Sequence, residues 1–239
     1  MKTREKFVLW LVLAVVAAFC VNVNAAPIIT ATSAWASSEL FGAGTSAYKV
    51  LDTSRLNGSN QLIVGDWSNN WLSNDSGWTS YQWIVVDLGN TYNVDEVHVW
   101  NYFDNAVPDQ SGRGYKDFAL WFGTDSTSTI LPVAGVEGNP LSEAQGWRYM
   151  IGGGTLAKAP LAIEPIDPTD VLKAGVNFSL ENSQGVRYIG FDMGAYMWNG
   201  SGGGQHGGLA QVQVTGTPEP ATLALLGLGG IAALRRRRA

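Results

Sequence analysis

Between Ala26 and Thr217, short runs in which β-branched and aromatic residues alternate with polar ones are separated by clusters of Gly, Asn, Asp and Ser. A period of two puts successive side chains on opposite faces of an extended chain, so these runs predict strands with one face in a core. The clearest are Trp83–Leu88, Val94–Tyr102, Tyr115–Phe122, Val186–Met193 and Leu209–Val214. In the second, Val97 and Val99 share one face while His98, Trp100 and Tyr102 share the other. In the third, Phe118, Leu120 and Phe122 fall on one side. No stretch here sustains a helical period, and prolines at 160, 165 and 168 interrupt the one candidate. The pattern predicts an all-β domain over residues 26–216, built as a jelly-roll β-sandwich.

Both ends read differently. Lys2, Arg4 and Lys6 precede an apolar stretch from Phe7 to Val21, and Val23 and Ala25 then occupy the small-residue positions that a signal peptidase needs. Residues 1–25 are therefore expected to be a signal peptide cleaved after Ala25. A membrane anchor is the alternative, on a run shorter than the roughly 20 residues of a typical span. At the C-terminus, Thr217-Pro218-Glu219-Pro220 leads into fourteen mostly apolar residues, 221–234, and then Arg235, Arg236, Arg237 and Arg238. As a helix this segment would reach ~21 Å, short of the ~30 Å hydrocarbon core. Arginine snorkelling and local thinning would still let it hold in a bilayer, with the arginines on the cytoplasmic side. Long apolar runs occur only at the two termini, which excludes a multi-span transporter or channel.

Pro-Glu-Pro, short apolar helix and arginine cluster, over residues 217–239 of a chain with an export leader, resemble the PEP-CTERM sorting signal. The resemblance implies a Gram-negative-type bacterium in which an exosortase recognises the tail and removes it near Pro218 to Pro220. The protein would be transiently membrane-anchored through the C-terminal helix, then delivered to the cell surface or the extracellular polysaccharide matrix. Signal peptidase and exosortase are the partners this implies during export; a plain C-terminal membrane anchor is the alternative.

Composition narrows the chemistry. The chain has 239 residues, enough for one domain between its two ends, and a single cysteine. Cys20 lies inside the leader after Phe19, where a lipidated cysteine would follow a small residue. The mature chain then has no thiol, so disulfides, thiolate nucleophiles and cysteine metal ligands are excluded. Between Ala26 and Thr217, 8 basic residues face 18 acidic ones, a net charge of −10. Such a surface repels phosphate backbones, so no nucleic-acid partner is expected.

Catalytic constellations are sparse. His98 and His206 are the only histidines, and neither G-x-S-x-G nor H-E-x-x-H occurs. Asp95 and Glu96 are neighbours on a predicted strand and point to opposite faces, so they cannot act as a pair. The GSGGGQHGG segment at residues 200–208 lacks the strand-turn-helix setting and the lysine of a phosphate loop. The expectation is a protein that is not an enzyme. A glycoside-hydrolase carboxylate pair among the 18 acids is the alternative, with nothing in the sequence to select two.

Several segments in order, SAYKVLDTSRLNG, WLSN, WIVVDLGNTYNVDEVHVWNYFD, GRGYKDFALWFGTD, VRYIGFDM and GLAQVQV, resemble the discoidin or coagulation-factor type C fold, the jelly roll of galactose-binding carbohydrate modules. The likeness spans roughly Ala31 to Thr215, and the stretch 124–185 is longer than that family needs, which marks an insertion. The resemblance implies ligand contact through loops at one end of the sandwich, where an aromatic ring stacks on a sugar and polar side chains bond its hydroxyls. The candidates are Trp100, Asn101, Tyr102, Asp104, Arg113, Tyr115 and His206. Trp100 and Tyr102 have a second reading as the cover of an outer sheet face, and Arg113 as a donor to loop carbonyls. In the cluster Trp67, Trp71, Trp78 and Trp83, Trp71 and Trp83 read as core, while Trp67 and Trp78 stay open between core and sugar platform. The resemblance also implies a structural calcium site beneath the loops near the N-terminal strand, held by backbone carbonyls together with Asp52 and, where the family has a glutamate, Gln211. A neutral amide is a weaker ligand than a bidentate carboxylate, and the other reading of Asp52 is a turn cap.

The functional expectation is an exported, exosortase-sorted protein whose sandwich binds extracellular polysaccharide or a cell-surface glycan without catalysis. A structural surface or matrix protein that makes only protein contacts is the alternative, and a glycan-active hydrolase a third.

Overall fold

Among the described residues, the alternation materialises as antiparallel strands. The computed structural model describes residues 26–40, 44–58, 62, 67–74, 81–102, 113–115, 117–136, 138, 140–155, 176–179, 183–193 and 206–219. Among them nine strands follow in chain order: β1 (Ile28–Ile29), β2 (Ser33–Ala36), β3 (Trp71–Leu72), β4 (Trp83–Asn101), β5 (Asp117–Gly123), β6 (Arg148–Thr155), β7 (Val176–Ser179), β8 (Val186–Asp192) and β9 (Gly208–Pro218). The helical elements among the described residues are short 3-10 turns such as Ala47–Leu51 and Thr53–Arg55.

β4 is the spine, and it absorbs two expected strands. Its first part, Trp83–Asp87, pairs with β2 and β8; its second part pairs with β9 and, over Glu96–Val99, with β7. Between them the register shifts at Asp87/Tyr92, where Gly89 takes a φ of 80° that costs a residue with a Cβ. A second shift, between Val94 and Glu96, leaves Asp95 as the extra residue of a β-bulge. The bulge changes the inward parity, so Ile84, Val86, Leu88 and Val94 face the core before it and Val97 and Val99 after it. The two parts lie in opposed layers. Phe118 of β5, on the side of the first part, meets Phe178 of β7, paired to the second, edge to face at 5.0 Å. Between the layers Trp71, Leu120, Phe122, Ile189, Phe191, Val212 and Val214 complete the core.

The stretch set apart as an insertion belongs to this architecture. It supplies β6, paired to β5, and β7, paired to β4. Its first part covers an outer sheet face: Leu131, Leu141 and Trp147 pack with Trp83, Val85 and Tyr188. Two indoles pin this cover, as Trp35 Nε1 donates to the Pro132 carbonyl at 2.9 Å and Trp83 Nε1 to that of Val136 at 3.1 Å. Arg187 of β8 donates to Asp87 at 3.1 Å and to Asp125 at 3.0 Å, and these two carboxylates hold its pKa above the ordinary arginine value. Trp35→Phe removes one pin while keeping a large ring, and should cost about 1 kcal/mol, read as a lower denaturant midpoint at constant m-value.

β9 runs further than its alternation suggests. Thr217 lies opposite Asn93, Pro218 opposite Tyr92, and Glu219 N–H donates to the Thr91 carbonyl at 3.2 Å. The boundary expected after residue 216 therefore falls inside a strand. The expected signal peptide, the apolar segment 221–234, Pro220 and Arg235 to Arg238 lie outside the described residues.

Candidate functional site

The end of β4, the segment 113–115, β3 and the start of β9 converge at one end of the sandwich. Asn101 Nδ2 donates to the Tyr115 carbonyl at 2.8 Å, and Asn101 Oδ1 accepts from Tyr102 N–H at 2.9 Å. Gly114 forms a parallel bridge with Gly208. Glycines permit this approach: a Cβ at Gly114 would lie 2.6 Å from Asn101 Oδ1, one at Gly207 2.3 Å from the Tyr115 ring, and one at Gly208 2.6 Å from Tyr102. Below them Trp71 stacks on Tyr115 with centroids 6.0 Å apart and planes 14° from parallel, and Trp71 Nε1 donates to the Ser38 carbonyl at 3.0 Å.

This geometry corrects part of the expected ligand set. Trp100, Tyr102 and Tyr115 are fully buried, so none offers a face to a sugar. Trp100 lies under Leu56 and Leu62 on the outer face of β4 and β9, with His98 packed on its ring at 4.1 Å; this is the sheet-cover reading. Tyr102 and Tyr115 form the floor. Asn101 is buried too, its amide used on local backbone. Trp71 and Trp83 are core; Trp67 keeps 42% of its surface exposed. Asp104 and Trp78 lie outside the described residues.

Arg113 and His206 remain partly exposed at the rim. The Gly114–Gly208 bridge sets their backbones on neighbouring stretches. His206 Nδ1 is 3.0 Å from the Ser73 carbonyl, while Ser73 N–H donates to Gly207 O at 2.8 Å and Ser73 Oγ accepts from Gly207 N–H at 3.0 Å. A carbonyl only accepts, so Nδ1 carries a proton towards it and leaves Nε2 for other partners. Ser73, which holds His206 through its carbonyl, carries no signal in the sequence, because the two lie 133 residues apart.

Asp52 and Gln211, the side chains expected to hold calcium, are each engaged elsewhere. Asp52 is exposed, and Oδ1 accepts from Ser54 N–H at 3.0 Å to cap the Thr53–Arg55 turn. The Ser54 hydrogen bonds, then the charges of Arg55 and Lys49, hold its carboxyl below the usual value. Its stabilising contribution is thus present near neutrality and lost as pH falls through that lowered pKa. Gln211 is fully buried, and its Oε1 faces the Arg55 guanidinium at 3.5 Å. As placed here, a cap carboxylate and an amide beside a cation are a poor pair of side-chain ligands for Ca²⁺, which takes several oxygens converging on one point.

Elsewhere, a cleft of about 360 Å³ lies between β1, β9 and the Thr53–Arg55 turn, lined by Ile28, Thr30, Leu51, Leu56, Asn57 and Gln213 among others. None of the expected ligand residues lines it. No helix among the described residues is long and apolar enough to cross a membrane.

Among solved structures, the chain is similar to a family 32 module of the Clostridium perfringens family 89 glycoside hydrolase in complex with GalNAc-β-1,3-galactose, at 14% identity and a TM-score of 0.45, over 79% of this chain and 99% of that one. It is also similar to the family 32 carbohydrate-binding module of C. perfringens NanJ in complex with galactose, at 15% identity and TM-score 0.44, over 78% and 96% of the two chains. The larger family 89 glycoside hydrolase of the same organism in complex with PUGNAc aligns at 14% identity and TM-score 0.41 over 80% of this chain, which spans only 15% of the hydrolase's length. At these identities the likeness concerns fold alone. A search among curated proteins finds no match. Residues 217–238 match the PEP-CTERM protein-sorting motif, so the C-terminus of this chain carries a protein-sorting signal.

Proposed function

We propose that the chain is an exported, non-catalytic carbohydrate-binding protein of the cell surface or extracellular matrix, and that Arg113 and His206 bond the sugar hydroxyls. The observation that carries this reading is the Gly114–Gly208 bridge, which sets the backbones before Gly114 and Gly208 on neighbouring stretches, with Arg113 and His206 both partly exposed on them: a guanidinium only donates, and the imidazole keeps a second nitrogen besides the one held at Ser73. A pyranose rim offers both donors and acceptors, and its apolar face suits an indole. Trp67, exposed in the turn just before β3, takes the stacking role that the buried rings cannot. The sorting motif supports delivery to the surface, with signal peptidase acting on residues 1–25 and an exosortase on the tail. The domain between them works in contact with extracellular polysaccharide.

The reading is tested by carrying Arg113→Ala and His206→Ala together in the producing cell. The double variant should be exported and folded, yet recovered from washed medium instead of the polysaccharide fraction. Unchanged retention would favour the protein-contact reading, for which the exposed Val133 and Val136 of the outer cover are the specific surface feature.

A further inference from the structure

Among the described arginines, Arg55 alone is buried, at 5% exposure. It ends the turn capped by Asp52, and Nη2 donates to the Ala210 carbonyl of β9 and lies 3.5 Å from Gln211 Oε1. Its Nε and Nη1, like Nε2 of Gln211, are buried without a hydrogen-bond partner. Burial lowers the Arg55 pKa and the charge of Asp52 opposes that, but a guanidinium starts so far above neutrality that it stays charged.

A carbonyl oxygen and an amide oxygen, with a carboxylate on the same turn, are donors that attract a cation. Here they already have one. A second positive ion at this point would meet the guanidinium at contact distance in a poorly solvated site, where like-charge repulsion is strong. A glutamate at position 211 would be suited to a divalent ion; glutamine matches a monovalent cation whose hydrogens point at it.

We propose that the Arg55 guanidinium is a built-in cation joining the Thr53–Arg55 turn to β9, in place of a bound metal, so that this chain holds the turn without calcium. The side chain is covalently present at unit occupancy, so the junction is indifferent to the ionic composition of the medium outside the cell.

The test is thermal unfolding of the mature protein in chelator and across a calcium titration into the millimolar range, the affinity regime of extracellular calcium modules. The expected result is a melting temperature that does not move. A saturable upward shift would overturn the proposal, since a ligand that binds only the folded state must stabilise it. A second arm uses the double substitution Arg55→Ala with Gln211→Glu, which removes the internal cation and adds a carboxylate. This variant should melt lower than the parent in chelator and recover stability as calcium is added. If it folds and ignores calcium, the guanidinium does not stand where a cation would bind.

Discussion

Trp71→Ala should destabilise the domain by about 3–5 kcal/mol, the range for removing a fully buried tryptophan. At roughly 2–4 °C per kcal/mol for a domain of this size, the melting temperature should fall by about 6–20 °C. Three losses combine. Trp71 belongs to the core between the layers, its ring is stacked on Tyr115, and its indole N–H holds the Ser38 carbonyl. β3 has only two residues, both paired to the start of β9, so little else fixes the strand. Trp67→Ala, four residues earlier but partly exposed, should change stability by no more than about 0.5 kcal/mol. Equal losses for the two would mean that Trp71 is not the anchor described here.

Gly207→Ala is the second large effect, and it couples stability to binding. The new methyl would lie 2.3 Å from Cζ and Oη of Tyr115. That ring cannot retreat, because Trp71 is stacked against it. Overpacking of this kind costs about 1–3 kcal/mol, and here the backbone on which His206 sits must give way. The Ser73 bonds to His206 and Gly207 should loosen, so glycan affinity should fall along with the denaturation midpoint. Gly58 has nothing within 4 Å of an added Cβ, and Gly58→Ala should leave both quantities unchanged. A Gly207→Ala protein with parental stability and affinity would show that the close approach at the floor is unnecessary.

Alternation carried the fold because the central strands bury one face each; Val97 and Val99, or Phe118, Leu120 and Phe122, announce their layer directly. It was silent where elements are too short to show a period, as in β1 and β3, and where glycines dilute the pattern, as in β6. It also divides β4 in two between Leu88 and Val94, since Gly89 reads as a break while the strand continues through it, and it gives no sign of the bulge at Asp95 inside the second run. The cover formed by Leu131, Leu141 and Trp147 is illegible for another reason: it packs on an outer face already occupied by Trp83, Val85 and Tyr188, so its own sequence needs no period.

The site was legible as a region and less so residue by residue. Motif position assembled Asn101, Tyr102, Arg113, Tyr115 and His206, which the structure brings to one end. Only burial separates the floor from the rim, and burial depends on partners distant in sequence, such as Leu62 over Trp100. Gln211 already signalled a weakened metal site; that Arg55 is its neighbour follows from the pairing of the turn with β9, 155 residues away.

Calorimetric titration of the mature protein with polysaccharide shed by the producing cell, followed by sizing of the recovered polymer, bears most directly on non-catalytic adhesion through the Arg113 and His206 end. Saturable heat, abolished in the Arg113→Ala, His206→Ala protein and accompanied by a polymer of unaltered length, is the predicted result. Absence of heat, heat that persists in the double variant, or a shortened polymer would contradict it.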